Sequence, residues 1–399
     1  MRIVQISGAL AGAQKIIEEA IHVCALEQGH ESCVLYACGT PSMEKEICYE
    51  SRIENLLTRG LRKYVAKHPH FSLLQTLRLI WKIERFTPDV VHLHVLHHGY
   101  TDFPVLMKYL AKRKIPVVYT MHDMWAFTGG CYHYTGLSCT EYQSGCTNCP
   151  AKKSDLDVAK CLVAKSYAAK EKLLSRLEKL HIVTVSQWVK QELSGSFLAE
   201  YPISVIPNGV SADGIRKSEA AGSAQNDGKV HLLSVAASWT ERKGIQLLLD
   251  LAETLGDHYE IWLVGSASEE VRKKAPKNIV FMGYCNDKSK LFDYYRDCDL
   301  YVSASQEETF GMTFVEAAYV GTRSVGYAGT AIGDTLKSVY GVAVEKYSAE
   351  AFADAIENIL SQDCVKLTGE QVTEIQSRCS VEAMAQTYMD LYMKMTQAF

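Results

Sequence analysis

The chain has 399 residues, a net charge of −4 and an ordinary balance of apolar and charged side chains. This length exceeds what one hydrophobic core usually serves, so two domains are expected. The slightly acidic balance excludes a general electrostatic affinity for nucleic acid. No stretch reaches the roughly 18 to 20 apolar residues that a membrane helix needs.

The amino-terminal segment RIVQIS is a short apolar run that turns directly into a glycine-containing loop. It predicts a strand rather than a signal peptide. We therefore expect a cytoplasmic protein. In that reducing compartment the 13 cysteines are expected to be thiols or metal ligands rather than disulfides.

Strands and helices alternate through the first half of the chain. After RIVQIS comes AQKIIEEAIHVCALEQGH, whose apolar residues recur at helical spacing. Further short apolar runs have the bounds that a buried parallel sheet requires; they are SCVLYA, VVHLHV, IPVVYTMH and HIVTVS. The first half is therefore predicted to be a doubly wound α/β domain.

Residues 51–86 interrupt this alternation with eight Lys and Arg against two Glu, interleaved with Leu, Ile, Phe and Trp. A basic amphipathic helix of this kind can lie on anionic lipid. A packed helical insertion with solvated cations is the alternative, and the sequence leaves both open.

Several histidines lie close together in the sequence. His92 and His94 alternate on a predicted strand and so share one face, and His97 and His98 follow. A metal site is one interpretation. Without a companion carboxylate motif, hydrogen-bonded polar residues or acceptor contacts are favoured.

Four cysteines lie in the loop 129–150, which shows no helical or strand periodicity and is predicted to be structureless: Cys131, Cys139, Cys146 and Cys149. The closing Cys-x2-Cys resembles a zinc knuckle, and four soft thiolates suit a structural tetrahedral Zn²⁺. The long first spacings weaken this match, so packed free thiols and disulfides stay open. A catalytic metal is not expected, because four protein ligands would fill its coordination sphere.

The second half repeats the alternating pattern with five apolar runs: VHLLSVAA, YEIWLVGS, NIVFMGY, DLYVSAS and RSVGYA. Before them, SADGIRKSEAAGSAQNDGK lacks periodicity and predicts an interdomain linker. The predicted organisation is a first α/β domain at 1–206, a linker at 207–229, a second α/β domain at 230–380 and a terminal helix at 381–399.

Glu308 and Glu316 stand eight residues apart on either side of Gly311, between a predicted strand and a predicted helix. Gly311 permits close approach of the backbone to a ligand, and the N–H groups of the helix start would face a diphosphate. Because carboxylates repel phosphate, the two glutamates are expected to accept hydrogen bonds from hydroxyls. Ligands of such folds bind at the carboxyl ends of strands.

These residues resemble the donor-binding signature of retaining glycosyltransferases of the GT-B fold, in the large family 4 group. The likeness covers most of the chain and keeps the order of five further motifs; these are AGAQ at 11–14, HDMWAFTGGC at 122–131, PNGV at 207–210, ERKG at 241–244 and FMGY at 281–284. A related cysteine pattern occurs in a subgroup of these enzymes. The resemblance implies two Rossmann-like domains facing a cleft, with the last helix crossing back onto the first domain.

The resemblance also implies roles for individual residues. Arg242 and Lys243 would stabilise the leaving diphosphate, and His122 would hydrogen-bond the transferred sugar. Glu308 would hold that sugar, and Glu316 would hold the ribose. The other implied donor contacts are Gly12, Gly283, Tyr284, Thr309, Phe310, Gly311 and Met312.

The sequence departs from the family pattern in two places. Ala11 stands where the family has a second glycine, which weakens the role of Gly12. Arg242 lies several residues after the position of the family's arginine, where this chain has AASW. Lys243 matches the family's lysine.

The implied reaction transfers a hexosyl group from a nucleotide sugar, with a UDP-sugar preferred, to a glycan acceptor. A lipid-linked acceptor at the inner face of the membrane is preferred, in the synthesis of a bacterial surface polysaccharide or glycoconjugate. No acidic pair marks a catalytic cation, so no catalytic cofactor is expected. A nucleotide-sugar epimerase and a degenerate, non-catalytic scaffold remain alternatives, although retention of both glutamates and Lys243 argues against the scaffold.

Overall fold

The computed structural model describes residues 1–10, 12–50, 72–97, 99–152, 156–212, 215 and 227–397. Two compact units divide the chain: Met1–Gly209 with Val381–Phe399, and Val210–Ser380. Part of the predicted basic segment, 51–71, lies outside the described residues, as do Ala11 and His98. No helix among the described residues is long and apolar enough to cross a membrane.

The first unit is built on a seven-stranded sheet in the order β3-β2-β1-β4-β5-β6-β7. Every neighbouring pair is parallel. The strands are Arg2–Leu10 (β1), Glu31–Gly39 (β2), Glu46–Cys48 (β3), Val90–Leu93 (β4), Val117–Met121 (β5), Leu180–Thr184 (β6) and Ile203–Val205 (β7). The central strands are buried along most of their length because parallel sheets are covered on both faces.

Helices lie between most of these strands in the sequence, as is usual for parallel pairing, whereas the short segment 40–45 joins β2 to β3 without a helix. They are Gly12–Glu27 (α1), Leu73–Phe86 (α2), Phe103–Arg113 (α3), Val163–Leu174 (α4) and Gln187–Ser194 (α5). Asp102 caps α3 by accepting a hydrogen bond from the Val105 N–H at 3.2 Å, and Ser186 caps α5 in the same way.

The second unit is built on a six-stranded parallel sheet in the order β10-β9-β8-β11-β12-β13. Its strands are Val230–Ser238 (β8), Tyr259–Ser266 (β9), Ile279–Gly283 (β10), Leu300–Ser303 (β11), Ser324–Tyr327 (β12) and Val342–Val344 (β13). Its helices are Ile245–Leu255 (α6), Glu269–Lys274 (α7), Lys288–Asp297 (α8), Met312–Tyr319 (α9), Ile332–Ser338 (α10), Ala349–Leu360 (α11) and Gly369–Arg378 (α12). Its core joins the sheet to α6 and α11 through side chains such as Leu248, Phe352 and Ile356.

The last helix, Val381–Gln397 (α13), belongs to the first unit. Met384, Tyr388 and Tyr392 are buried in one cluster with Ile17 and Ile21 of α1. This placement confirms the predicted return of the last helix. Both units have the doubly wound α/β architecture that the sequence predicts.

Two features of the fold differ from the sequence analysis. The strands β3, β7 and β13 were not predicted; each has three residues and lies at a sheet edge. The loop 129–150 is not structureless: it contains 3-10 turns at Thr135–Leu137 and Glu141–Gln143. The buried rings of Tyr134 and Tyr142 pack in a tilted arrangement with their centres 4.9 Å apart, and both hydroxyls donate to Glu192 of α5. Aromatic packing therefore orders a segment that lacks periodicity.

Candidate active site

The sheet order reverses beside the first strand of each unit. In the first unit β1 lies between β2 and β4, and in the second β8 lies between β9 and β11. Ligands of doubly wound folds bind at the carboxyl ends of strands at this kind of switch point. Gly12 follows β1, Lys243 follows β8 and Glu308 follows β11, so these predicted residues lie where the fold favours binding.

A 3-10 turn at Glu241–Lys243 leads from β8 into α6. Gly244 follows with a φ of +73°, and a Cβ there would lie 2.0 Å from the carbonyl oxygen of Ala304. Only glycine permits this approach of the turn to the end of β11. The Gln306 N–H donates to the carbonyl of Arg242 at 2.9 Å, which fixes the turn beside the loop that carries Glu308.

Lys243 Nζ forms an ion pair with Glu308 Oε1. Ser305 Oγ donates to the same oxygen at 2.9 Å, and the Glu308 N–H donates to Thr330 Oγ1 at 3.3 Å. The side chains of Lys243 and Glu308 are 25% and 26% exposed. The structure thus brings two of the predicted residues together and leaves their charges within reach of solvent.

The loop after Glu308 leads into the start of α9. Phe310 is buried, and its carbonyl accepts a hydrogen bond from Thr335 Oγ1. Gly311 is the N-cap of α9, with a φ of +89° and no side-chain cap. The predicted helix start is therefore confirmed to within one residue. Uncapped N–H groups at a helix start carry partial positive charge, which suits an anion.

Glu316 lies on α9, where Tyr295 of α8 donates to its Oε2 at 3.1 Å. Burial raises the pKa of the Glu316 carboxyl, and the hydrogen bond from Tyr295 opposes that shift. Sequence reasoning missed Tyr295, Ser305 and Thr330. Their partners lie on other elements or across a turn, and no spacing signal in the sequence links them.

Gly283 and Tyr284 lie at the end of β10, an outer strand that β9 separates from β8. Gly283 has a φ of +76°, and no atom lies within 4 Å of its would-be Cβ. Its backbone conformation, rather than close packing, therefore explains the glycine. Tyr284 is 59% exposed, and no contact of the described structure joins it to Lys243 or Glu308.

Gly12 is the first residue of α1, and its φ is +62°. No atom lies within 4 Å of its would-be Cβ, so here too the conformation accounts for the glycine. His122 follows β5, two strands away from β1 in the sheet. The structure therefore places both residues at the carboxyl ends of strands in the first unit.

His122 is part of a hydrogen-bonded chain. Its Nε2 lies 3.1 Å from Nδ1 of His94, whose Nε2 lies 3.1 Å from Oε1 of Gln5. Burial lowers the pKa of His122 to about 4 and that of His94 well below its usual value. Both imidazoles are therefore neutral near pH 7.

His92 is buried among other polar groups. Its Nε2 lies 2.7 Å from Thr120 Oγ1, and its Nδ1 lies 2.6 Å from the hydroxyl of Tyr392. His97 Nε2 lies 2.6 Å from Asp123 Oδ2. These contacts agree with the favoured interpretation of hydrogen-bonded histidines.

The four cysteines of the loop 129–150 are free thiols. Cys131 and Cys146 are buried, whereas Cys139 and Cys149 are partly exposed. Burial, followed by the influence of the three neighbouring thiols, raises the pKa of Cys131 to about 12. The Gly129 N–H donates to Cys146 Sγ at 3.3 Å. Over the described part of the chain, no group of three or more His, Cys, Asp or Glu side chains is arranged to hold a metal ion.

Comparisons with known proteins agree with this geometry. Residues 229–362 match the family described as Glycosyl transferases group 1, and residues 23–213 match Glycosyltransferase Family 4. Sucrose-phosphate synthase from Thermosynechococcus elongatus superposes with a TM-score of 0.69 at 16% identity, over 100% of this chain and 99% of its own. HepE from Anabaena, in complex with UDP and glucose, superposes with a TM-score of 0.64 at 16% identity, over 99% and 100%.

The chain is a glycosyltransferase of the GT-B fold. Among curated proteins it is similar to the putative colanic acid biosynthesis glycosyl transferase WcaC of Escherichia coli K12. The two are 23% identical, and the alignment covers 98% of this chain and 99% of WcaC.

Proposed function

We propose that this protein transfers a hexosyl group from a UDP-sugar to a glycan acceptor with retention of configuration, in the synthesis of a bacterial surface polysaccharide. The observation that carries the proposal is the partly exposed ion pair of Lys243 and Glu308 at the β8–β11 switch point. The similarity to WcaC supports the pathway class, and the likeness to HepE solved with UDP and glucose supports the donor class.

In the proposed reaction the bond between the sugar's anomeric carbon and the diphosphate oxygen breaks. The acceptor hydroxyl forms the new bond on the same face, and its proton passes to the departing phosphate. The Lys243 ammonium, the Arg242 guanidinium and the N–H groups from Thr309 to Met312 stabilise the charge that develops on the diphosphate. Such preorganised stabilisation is usually the largest contribution to catalysis.

Glu308 and Glu316 bind hydroxyls in this proposal. When the diphosphate engages Lys243, the Glu308 carboxylate exchanges its ion pair for hydroxyls of the transferred sugar. Glu316, held by Tyr295, accepts from the ribose. Gly283 and the exposed Tyr284 contact the nucleobase, and Gly12 and His122 are the remaining proposed donor contacts.

Calorimetry with UDP, GDP, ADP and their common sugars tests the donor assignment. We expect selective binding of UDP that is strongly weakened by Lys243→Ala. Lys274→Ala is the matched control, because Lys274 pairs with Glu270 on the exposed surface of the same unit. Failure to bind any nucleotide would contradict the proposal, and release of a free epimerised sugar would favour the epimerase hypothesis.

We propose further that the acceptor is lipid-linked and that α2 contacts the membrane. Leu74, Leu77 and Trp81 of α2 are 65%, 49% and 55% exposed, and the spacing of these residues places them on one face. The guanidinium of Arg85 lies 4.7 Å from the centre of the Trp81 ring. Apolar side chains beside cations suit the interface of an anionic bilayer.

Co-sedimentation with phosphatidylglycerol vesicles tests this contact. Leu74→Glu should reduce binding, whereas Leu137→Glu, which changes an exposed leucine of the cysteine loop, should not. Equal binding of Leu74→Glu and wild type would contradict the proposal.

A structural zinc in the loop 129–150 is also proposed. The donor set of Cys131, Cys139, Cys146 and Cys149 fits Zn²⁺ because all four ligands are soft thiols. Since the described thiols are not grouped as a metal site, zinc binding would require them to move together. Elemental analysis of the reduced protein should find about one zinc per chain and should find none in Cys146→Ser. Zinc-free protein that is fully folded would overturn the proposal.

A further inference from the structure

Hydrogen bonds link Gln5 to His94 and His94 to His122. The donor and the acceptor of each bond can be assigned in turn, beginning at Gln5. Gln5 lies on β1, is fully buried, and its Nε2 donates to the backbone carbonyl of Glu18 at 2.9 Å. A carbonyl oxygen only accepts hydrogen bonds, so this contact orients the amide. Gln5 must therefore present its Oε1, an acceptor, to Nε2 of His94 at 3.1 Å.

His94 transmits this constraint to His122. Because Gln5 presents an acceptor, Nε2 of His94 carries the proton, and a neutral imidazole then has an unprotonated Nδ1. That Nδ1 lies 3.1 Å from Nε2 of His122. The pair can form a hydrogen bond only if Nε2 of His122 is the donor.

We propose that Gln5 and His94 are positioning residues that hold His122 as the neutral imidazole protonated at Nε2. The remaining ring nitrogen, Nδ1, is then an acceptor. This inference rests on the proposed contact between His122 and the donor sugar. It assigns the direction of that hydrogen bond: a sugar hydroxyl donates to Nδ1 of His122. The relay of Gln5, His94 and His122 therefore contributes to the choice of donor sugar.

The surroundings of the relay support a fixed proton arrangement. His92 packs against His94 with ring centres 3.9 Å apart and is itself held by Thr120 and Tyr392. Burial disfavours a charged ring at either position, since it lowers the pKa of both imidazoles. Rotation of the His94 ring would break its contacts to Gln5 and His122 together.

Nitrogen NMR of histidine-labelled protein tests the tautomer directly. Pyrrole-like and pyridine-like nitrogens are distinguished by their shifts, and His122→Gln assigns the signal among the 13 histidines. We expect a pyrrole-like Nε2 and a pyridine-like Nδ1 at His122. A pyrrole-like Nδ1 in the wild-type protein would overturn the inference without reliance on any variant.

Gln5→Leu should release the constraint, so that the His122 signals shift toward the other tautomer. Thr120→Val is the matched control, because it removes a buried hydrogen bond to His92 and leaves the relay intact. An unchanged His122 spectrum in folded Gln5→Leu would contradict the relay.

Donor analogues connect the tautomer to specificity. Monodeoxyfluoro UDP-sugars replace one hydroxyl with a group that cannot donate. At the position that His122 contacts, wild type should discriminate against the fluoro analogue by about tenfold in kcat/KM, and Gln5→Leu should discriminate less. If NMR finds the expected tautomer but His122→Gln leaves transfer unchanged, His122 does not contact the sugar, although Gln5 and His94 still fix its tautomer. If NMR instead finds a pyrrole-like Nδ1, the relay is wrong, and the proposed transfer reaction is unaffected.

Discussion

Both units place polar side chains on or just after the first strand of the sheet and one of its neighbours, but these side chains differ in burial. In the first unit His92, His94 and Gln5 are buried, neutral and hydrogen-bonded to one another or to neighbouring elements. In the second, Lys243 and Glu308 form an ion pair, and each side chain is about a quarter exposed. Buried hydrogen bonds hold side chains in one arrangement. In a partly exposed ion pair, either side chain can exchange its partner for a ligand, because solvent screening makes the pair weak.

A neutral centre proposed to position His122 and an ion-paired centre proposed to bind the donor should respond differently to substitution. The largest expected effect concerns Glu18, which lies fully buried beneath Gln5 and accepts a hydrogen bond from Gln14 at 2.8 Å. Burial raises the pKa of Glu18 from 4.5 to about 8. The folded protein therefore retains a proton that the unfolded chain releases between these values. The contribution of this carboxyl to stability is fully present below pH 4.5 and is lost as pH rises toward 8.

Glu18→Gln should remove this loss. Relative to wild type, the variant should gain up to about 4 kcal/mol in the free energy of unfolding between pH 4.5 and pH 8.5. Urea unfolding of the first unit at the two pH values measures the change. Glu19→Gln, at a partly exposed neighbour paired with Lys15, is the control. If the free energy of unfolding changed equally with pH in wild type and Glu18→Gln, burial would not be keeping Glu18 protonated.

Loss of the cation in the second unit should have the next largest effect. Lys243→Ala is expected to lower the transfer rate by on the order of 10²-fold, as for the removal of one group that stabilises a developing oxyanion. Glu308→Ala should lower it at least about tenfold, and the double variant should lose less than the product because the two side chains are paired. Steady-state kinetics on folded protein measures the effects; wild-type rates in both single variants would exclude this site.

Tyr392→Phe should produce a moderate loss of stability. The change removes the hydroxyl 2.6 Å from His92 Nδ1 and leaves a buried nitrogen without that partner. We expect a loss of about 1–3 kcal/mol in the free energy of unfolding, with UDP affinity unchanged. Tyr388→Phe should cost less, because Thr120 keeps its contact with His92. Weakened UDP binding in folded Tyr392→Phe would show that the two centres are not independent.

Tyr295→Phe should have the smallest effect. The hydroxyl of Tyr295 opposes the burial that raises the pKa of Glu316, so its removal raises that pKa further. If the ribose needs the carboxylate form, UDP affinity is present above this pKa and is lost on acidification, and in the variant that loss begins at a higher pH. Calorimetry with UDP over a pH series measures this shift. At neutral pH we expect the UDP affinity of the variant to differ from that of wild type by less than about tenfold. A shift toward lower pH would contradict the assignment.

Most of the fold could be predicted from the sequence because the strands of a doubly wound sheet are apolar over most of their length. RIVQIS and YEIWLVGS are two such apolar runs, and they lie in β1 and β9. The edge strands Ile203–Val205 and Val342–Val344 could not be predicted, because three residues show no periodicity. The order in the loop 129–150 depends on Glu192, more than 40 residues away, so no local pattern indicates it.

The candidate site was predictable only where the chain itself brings residues together. Glu308, Gly311 and Glu316 lie in one short segment, and the helix begins within one residue of the expected position, with Gly311 as its N-cap. Gln5, Tyr295 and Thr330 were missed, since each lies in an ordinary-looking strand, helix or loop and gains its role only from a distant partner. Spacing patterns report neighbours along an element and carry no information about contacts between elements.

The return of α13 to the first unit has a consequence for biosynthesis. Tyr388 and Tyr392, which close the hydrogen bonds around Thr120 and His92, leave the ribosome after the whole of Val210–Ser380. The second unit can therefore fold during translation. The apolar surface of α1 in the first unit stays uncovered until α13 has been synthesised. Nascent chains of this protein should depend on chaperones chiefly through their earliest-made half.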